Sequence, residues 1–329
     1  MRNSMQLNKL KLKKIKGDAS FRSFYRKINS KKNSIIVFAN KEKEKNLLIY
    51  DAINKLLIKN KILAPKLYKE SYKKNFIEIE DFGNDTVFSL LKKKEGNKIR
   101  LYRKSIDLLF KIQKIKQIKI KNFRGKNYQV PIYDRNKLFK EAKLFSDWYA
   151  KKHIPKKKLP MLNFEISKQI KFLLSNLKLK NDTLVHRDFH VSNLMKYKKK
   201  FATIDTQDAL LGNRAYDLAS LIDDVRFKSK KKLKENIYNY YLKLNKKKIN
   251  KVVLLNDFEI LSVLRNMKII GIFTRLAVRD KKKQYLKLIP HAWRLIELRI
   301  KNNEIFNNFK KLLDLNFSKE LRKLKWKLI

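Results

Sequence analysis

His186-Arg187-Asp188-Phe189-His190-Val191-Ser192-Asn193 is the stretch on which the reading of this chain turns. It spells HxDxxxxN, and twelve residues after Asn193 comes Asp205, at the end of the apolar run Phe201-Ala202-Thr203-Ile204. Chance alone would place HxDxxxxN about 0.02 times in a chain of this composition. Phosphoryl transfer from a nucleotide needs a carboxylate to accept or orient the proton of an acceptor hydroxyl. It also needs an amide oxygen and a second carboxylate to hold Mg²⁺ on the phosphates. Asp188, Asn193 and Asp205 supply those groups in order. Asp and Asn also serve as ordinary turn and cap residues. The linked spacing weighs against that plainer reading, because Gly212 and Tyr216-Asp217-Leu218-Ala219 follow as a loop leading into a helix.

Outward from this island, the apolar pair before His186 and the hairpin turned by Lys198 to Lys200 interrupt a region that otherwise has helical spacing. Helical periodicity runs through Leu101 to Ile118 and Leu138 to Tyr149, and Phe306 to Ile329 reads as one basic amphipathic helix that could be core, partner face or membrane-surface element, with packing on the body expected. Before Phe82-Gly83 the pattern is different. KLKKIKG, SFYRKI and SIIVFA read as strands, Lys43 to Lys59 as a helix and FIEIEDFG as a further strand. The expected architecture is therefore α+β and bilobal. Residues 1–82 would form a small antiparallel-sheet lobe with one helix, binding nucleotide, and residues 83–329 a larger, mainly helical lobe carrying the catalytic loop and the acceptor site.

Composition narrows the field. The chain has 329 residues, 43% hydrophobic and 11% aromatic, which excludes disorder as a whole-chain reading. No cysteine is present, so disulfide scaffolds, zinc fingers and thiol nucleophiles are out. The N-terminus lacks the apolar core of a signal peptide and no stretch of about 18 apolar residues occurs, so a cytoplasmic protein without a membrane span is expected. Net charge is +53, which raises nucleic acid as a partner. Only 16 of the 83 basic residues are Arg, however, and the lysine runs 156–158, 230–232, 246–248 and 281–283 are scattered instead of forming a stripe. Solvated faces with weak, salt-sensitive polyanion binding are expected, without a specific nucleic-acid partner.

The motif set resembles the aminoglycoside phosphotransferase-like branch of the protein-kinase-like fold. Six segments extend the likeness: GDASFRSFYR from Gly17, IEIEDFGNDT from Ile77, LFSDWY from Leu144, HRDFHVSNLM from His186, IDTQDALLGNRAYDLASLIDD from Ile204, and the stretch from Leu264 to Arg294. Together they resemble the anomeric N-acetylmuramate/N-acetylglucosamine kinases of cell-wall sugar recycling. The resemblance implies an ATP- and Mg²⁺-dependent sugar 1-kinase acting on a small amino sugar. It makes Asp188 the catalytic base, with His186 supporting the loop and Asp217 bracing it, and makes Asn193 and Asp205 the metal ligands. Gly17, Asp18, Ala19 and Ser20 would turn over the ATP phosphates with Arg22 nearby, and Glu80 and Asp81 would lie at the hinge beside adenine.

Two departures from kinases at large stand out. Strand Ser34 to Ala39 carries no phosphate-binding lysine, so Arg22, Lys41 or Lys43 must take that role. The six glycines are isolated, so neither GxGxxG nor a Walker loop is present. Gln207 and Asp208 are candidates to read sugar hydroxyls, and Arg265, with Asn266 and Arg275, to meet an acidic substituent. His190 could touch phosphate or be satisfied by backbone, and Trp148 is the one tryptophan weighed as a sugar platform. His153 and His291 are expected to be structural or solvated. An aminoglycoside, choline or another small alcohol as acceptor stays open, as does a catalytically weak, basic protein that holds nucleotide or RNA.

Overall fold

The computed structural model describes residues 12–15, 22–28, 33–39, 46–93, 97–245, 249–301 and 303–324. Gly17 to Ser20, Lys41, Lys43 and Trp326 lie outside them. The chain divides into two compact units, residues 1–131 with 184–210, and residues 132–183 with 211–329.

The first unit is built on a five-stranded antiparallel sheet of order β1-β2-β3-β5-β4, with β1 Leu12–Ile15, β2 Ser23–Lys27, β3 Ser34–Phe38, β4 Leu67–Ser71 and β5 Phe76–Glu80. The β-branched run of β3 and the alternation in β5 bring Val37, Ile77 and Ile79 onto one apolar cluster with Leu47 and Tyr50 of α1 (Asn46–Lys59). Strand β4 is not evident in the sequence. It is an edge strand whose Tyr68, Lys69 and Glu70 are exposed, so it shows no apolar alternation.

Helices α2 (Val87–Lys92) and α3 (Lys98–Ile112) follow, capped by the side chains of Thr86 and Asn97. Helix α3 stops at Ile112, short of the expected Ile118, because the chain turns at Gln113–Lys114 and enters the hairpin β6 (Lys119–Lys121) and β7 (Asn127–Gln129). Beyond residue 183 the same unit holds the end of β8 (Thr183–Val185) and the hairpin β9 (Leu194–Tyr197) and β10 (Lys200–Thr203), turned where the sequence places it. Phe82, Met195 and Ala202 form the small apolar cluster beneath this hairpin.

The second unit takes up part of β11 (Leu210–Gly212) and is otherwise helical: α4 (Arg135–Ala142), a π-helical turn over Phe145–Ala150 running into α5 (Lys151–His153), α6 (Leu159–Ser175), α7 (Ala215–Ile222), α8 (Lys231–Leu244), α9 (Lys251–Val278), α10 (Ile289–Ile300), α11 (Asn307–Asn316) and α12 (Lys319–Lys323). Its axis is α9, 28 residues long and buried along most of its length. At Gly271 the backbone of Leu144 comes so close that an added Cβ would lie 2.3 Å from the Leu144 carbonyl atoms. The π turn aims Phe145 and Tyr149 at Trp293 and Phe317, with ring centroids 5.2–5.9 Å apart. The expected single C-terminal helix is broken at Phe317, which is extended and buried, before Ser318 caps α12.

Asp223, wholly buried after α7, joins three helices. It pairs with Lys234 of α8 at 2.8 Å and with Arg299 of α10 at 2.8 Å, and accepts from Ser262 of α9 at 2.6 Å. Burial works against its charge, yet the two cations hold its carboxyl well below the usual range.

Candidate active site

The loop between β8 and β9 is clamped by its neighbours within the first unit. His186, 3% exposed, meets the Ile204 carbonyl through Nε2 at 3.0 Å, and since that carbonyl can only accept, Nε2 carries the proton. The Ile204 N–H donates in turn to the Asn193 carbonyl at 3.1 Å. Phe88 N–H donates to the Val191 carbonyl, Lys196 N–H to that of Asp85, and Thr203 N–H to that of Leu63. The loop is thereby tied to α2 and to Ile204, which follows the end of β10 and precedes Asp205.

Two non-glycine residues here have left-handed backbones, Arg187 at φ 72° and Asp205 at φ 62°. Such conformations cost roughly 1–3 kcal/mol each and persist only where surrounding bonds enforce them. They flank the groups the sequence singles out. Asn193 Nδ2 donates to the Asp188 carbonyl at 3.1 Å, which commits the amide nitrogen and leaves Oδ1 as an acceptor. Asn193 and Asp205 thus offer hard oxygen donors of the kind a divalent cation takes, and the Asp205 side chain keeps 38% of its surface exposed.

Arg22 is a buried cation beside Asp205. From the residue before β2 its Nη2 donates to Asp205 Oδ1 at 2.7 Å and its Nη1 to Gln207 Oε1 at 2.7 Å. Its guanidinium lies 5.7 Å from the Phe24 ring centre and 6.0 Å from that of Tyr50. Burial pushes the Tyr50 hydroxyl up to about 12. Gln207 also donates to Asp208 Oδ2 at 2.7 Å, and Asp208 lies 3.8 Å from Arg187. Thr206 Oγ1 donates to Asn54 Oδ1 of α1 at 2.6 Å, and Asn54 Nδ2 donates to the Pro65 carbonyl at 3.1 Å. Tyr50 and Asn54 carry no motif signal, and Thr206 lies within a motif segment without being singled out. Only an apolar helix face interrupted by a polar residue hints at Asn54.

At the other end of the sheet Asp81 is engaged by Arg26, whose Nη2 lies 3.0 Å from Oδ1, and by the Gly83 N–H at 2.8 Å. Its carboxylate therefore shapes the turn at Gly83, where φ is 83°. Glu80 is half-buried, and its carboxylate lies at a long 3.5 Å from the Lys66 N–H.

His186, Asp188, Asn193, Asp205, Gln207, Asp208, Arg22, Glu80 and Asp81 all belong to the first unit, and Asp217 and Arg265 to the second. Asp217 sits fully buried in the first turn of α7. Arg265 on α9 is 4% exposed, and its Nη1 has no hydrogen-bond partner among the described residues. Asp257 of α9, which the sequence does not single out, accepts from the Lys178 and Leu179 N–H groups and from Asn213 at 2.6–3.2 Å. Among the described residues no cluster of three or more acidic or histidine side chains could hold a metal by itself, and no helix is long and apolar enough to cross a membrane.

With this geometry in hand, comparison with known proteins gives consistent matches. The model of the phosphotransferase enzyme family matches residues 11–248. An N-acetylmuramate/N-acetylglucosamine kinase of Pseudomonas aeruginosa is 28% identical over 85% of this chain and 81% of its own length. The protein of that name from Neisseria meningitidis is 27% identical over 83% of this chain and 80% of its own. Among solved structures, amicoumacin kinase in complex with AMP-PNP, Ca²⁺ and Ami superposes with a TM-score of 0.63 at 16% identity, covering 94% of this chain and 96% of that one. The fold is accordingly protein-kinase-like.

Proposed function

The chain belongs to the phosphotransferase enzyme family, and on that premise we propose that it transfers the γ-phosphoryl group of ATP to the anomeric hydroxyl of a small amino sugar, N-acetylmuramate or N-acetylglucosamine. The observation that carries the reading is the meeting of Arg22 with Asp205 and Gln207, beside a loop that holds Asp188 and Asn193. The names of the relatives support the acceptor, and the AMP-PNP and Ca²⁺ of the amicoumacin kinase support a nucleotide with a divalent cation.

In this reading Asp188 accepts or orients the proton of the attacking hydroxyl. Asn193 Oδ1 and the Asp205 carboxylate would hold Mg²⁺, which when bound would neutralise charge on the phosphates. Arg22, held beside Asp205, would supply the guanidinium that meets phosphate oxygens. His186 is a positioning residue, because its bond to the Ile204 carbonyl fixes the strand end that presents Asp205. Gln207 and Asp208 read acceptor hydroxyls, and Arg265 is the candidate partner for an acidic substituent. Asp217 supports the fold around α7. Gly17, Asp18, Ala19 and Ser20, with Glu80 and Asp81, remain the proposed nucleotide contacts, and Lys43 a second cation. The proposed setting is the cytoplasm.

The test is ADP release from Mg·ATP with N-acetylmuramate, N-acetylglucosamine, kanamycin and choline as acceptors. Turnover with an N-acetylated amino sugar, at least tenfold above the other two, is expected. Turnover with kanamycin or choline alone would replace the acceptor assignment, and no turnover with any of them would overturn the reading.

A further inference from the structure

The outward face of α6 runs against the usual division between buried apolar and exposed polar residues. Met161 is 66% exposed, Phe164 63% and Phe172 46%, and at helical spacing they share one face with Lys168 and Lys171, both exposed. The opposite face, Leu162, Ile166, Ile170 and Leu173, is the one buried in the unit. Beside α6 lies α11, and between them runs an open groove of about 380 Å³ lined by Glu165, Lys168 and Gln169 of α6 and by Asn308, Lys311, Leu312 and Leu315 of α11. Leu315 is 85% exposed, the largest exposure among the large apolar side chains of the described residues. Immediately before α6 stand Lys156, Lys157 and Lys158, all exposed.

Exposed large apolar side chains beside lysines, whose stems can lie along an apolar surface while their heads stay in water, supply both kinds of contact that a water–lipid boundary offers. We propose that the α6–α11 face docks on an anionic phospholipid surface. Met161, Phe164 and Leu315 would enter the headgroup boundary while Lys156–Lys158, Lys168, Lys171 and Lys311 meet the lipid phosphates. The choice of occupant rests on charge complementarity and on the chemistry of the apolar groups. A chain of net charge +53 repels a second copy of itself, which disfavours self-association through a lysine-rimmed face. Nucleic-acid surfaces rely on arginine as well as stacked aromatics, whereas the cations of this face are all lysine, and beside Phe164 and Phe172 stand Met161, Leu312 and Leu315, flexible apolar groups suited to hydrocarbon. Docking of this kind would bring the enzyme to a surface with none of the described helices crossing the membrane.

Because lysines cover the whole molecule, the test separates this face from general charge. The full chain is sedimented with vesicles of phosphatidylcholine and with vesicles of equal parts phosphatidylcholine and phosphatidylglycerol. A triple variant, Met161→Ser, Phe164→Ser and Leu315→Ser, is compared at the same net charge, with thermal melting to confirm that it folds. We expect binding to the mixed vesicles only, and a loss of at least tenfold in the variant with kinase turnover unchanged. Binding of both proteins to a short single-stranded RNA serves as the polyanion control and should be equal. A Phe164→Trp variant should shift its emission to the blue on mixed vesicles, a readout independent of the triple variant's stability. Equal vesicle binding by wild type and triple variant, no emission shift, or a parallel loss of RNA binding would each overturn the proposal.

Discussion

Arg22 and Asp205 lie 183 positions apart in sequence, yet Nη2 of the first donates to Oδ1 of the second at 2.7 Å. This pair gives a chain without a strand lysine a fixed cation beside its second carboxylate. The same guanidinium donates to Gln207 through its other terminal nitrogen, a fork that lysine cannot reproduce. Arg22→Ala is expected to lower kcat/KM for ATP by about 10²-fold or more, and Arg22→Lys to recover only part of that. Steady-state kinetics over a range of ATP concentrations checks both. Equal kcat/KM in Arg22→Ala and wild type would remove Arg22 from the phosphate site.

His186 offers a test of positioning as distinct from chemistry. It bonds to the Ile204 carbonyl through an Nε2 proton, so His186→Gln, which can also donate, should retain more activity than His186→Ala. In both variants kcat should fall more than the affinity for nucleotide changes, measured by turnover beside nucleotide titration. An equal loss of nucleotide binding would show that the loop had collapsed instead.

Asp223 dominates the electrostatics of the second unit. With its carboxylate removed, Lys234 and Arg299 would be left buried and unpaired, so Asp223→Asn should destabilise the fold by about 3–5 kcal/mol. Urea unfolding followed by circular dichroism gives the number.

Acid should weaken the fold in two stages. Burial and neighbouring cations push His291 down to about 4 from an ordinary 6.5. Between those values the unfolded chain takes up the proton and the folded one resists it, so stability falls as pH drops from 6.5 toward 4. At pH 5 this amounts to about 2 kcal/mol at most. Asp223, held below its ordinary value, adds a further loss only below about pH 4. Burial and Lys152 hold His153 down to about 4 as well, so His291→Phe should remove about half of the first stage and leave the second, as read from unfolding curves at pH 7, 5 and 3.5.

Gly271 faces backbone, not a side chain that could yield. Gly271→Ala should cost roughly 1–3 kcal/mol through displacement of Leu144, a shift visible in the melting temperature.

What the sequence made legible was local. HxDxxxxN, the Ile204-Asp205 strand end and the hairpin at Lys198 to Lys200 lie within a short stretch, and their spacing alone orders the polar groups. The strands of the sheet were readable where β-branched runs are buried, as in β3. They were not where an edge strand carries Tyr68, Lys69 and Glu70 outward. Arg22 could be named as a cation near phosphate, but its bond to Asp205 joins segments that only the folded sheet brings together. Asp223 and Asp257 read as ordinary helix-end and helix carboxylates, since nothing local announces that Arg299 or the Lys178 N–H will reach them. The break at Phe317 was hidden because a buried aromatic in extended conformation fits the same apolar spacing as a helix.

The most direct test of the account is phosphoryl transfer by Asp188→Asn beside the wild type, with N-acetylmuramate as acceptor, Mg·ATP saturating, and the phosphosugar itself detected. The account predicts that turnover falls by at least 10²-fold while nucleotide affinity and melting temperature stay near wild type. Product formed by Asp188→Asn at the wild-type rate would contradict it.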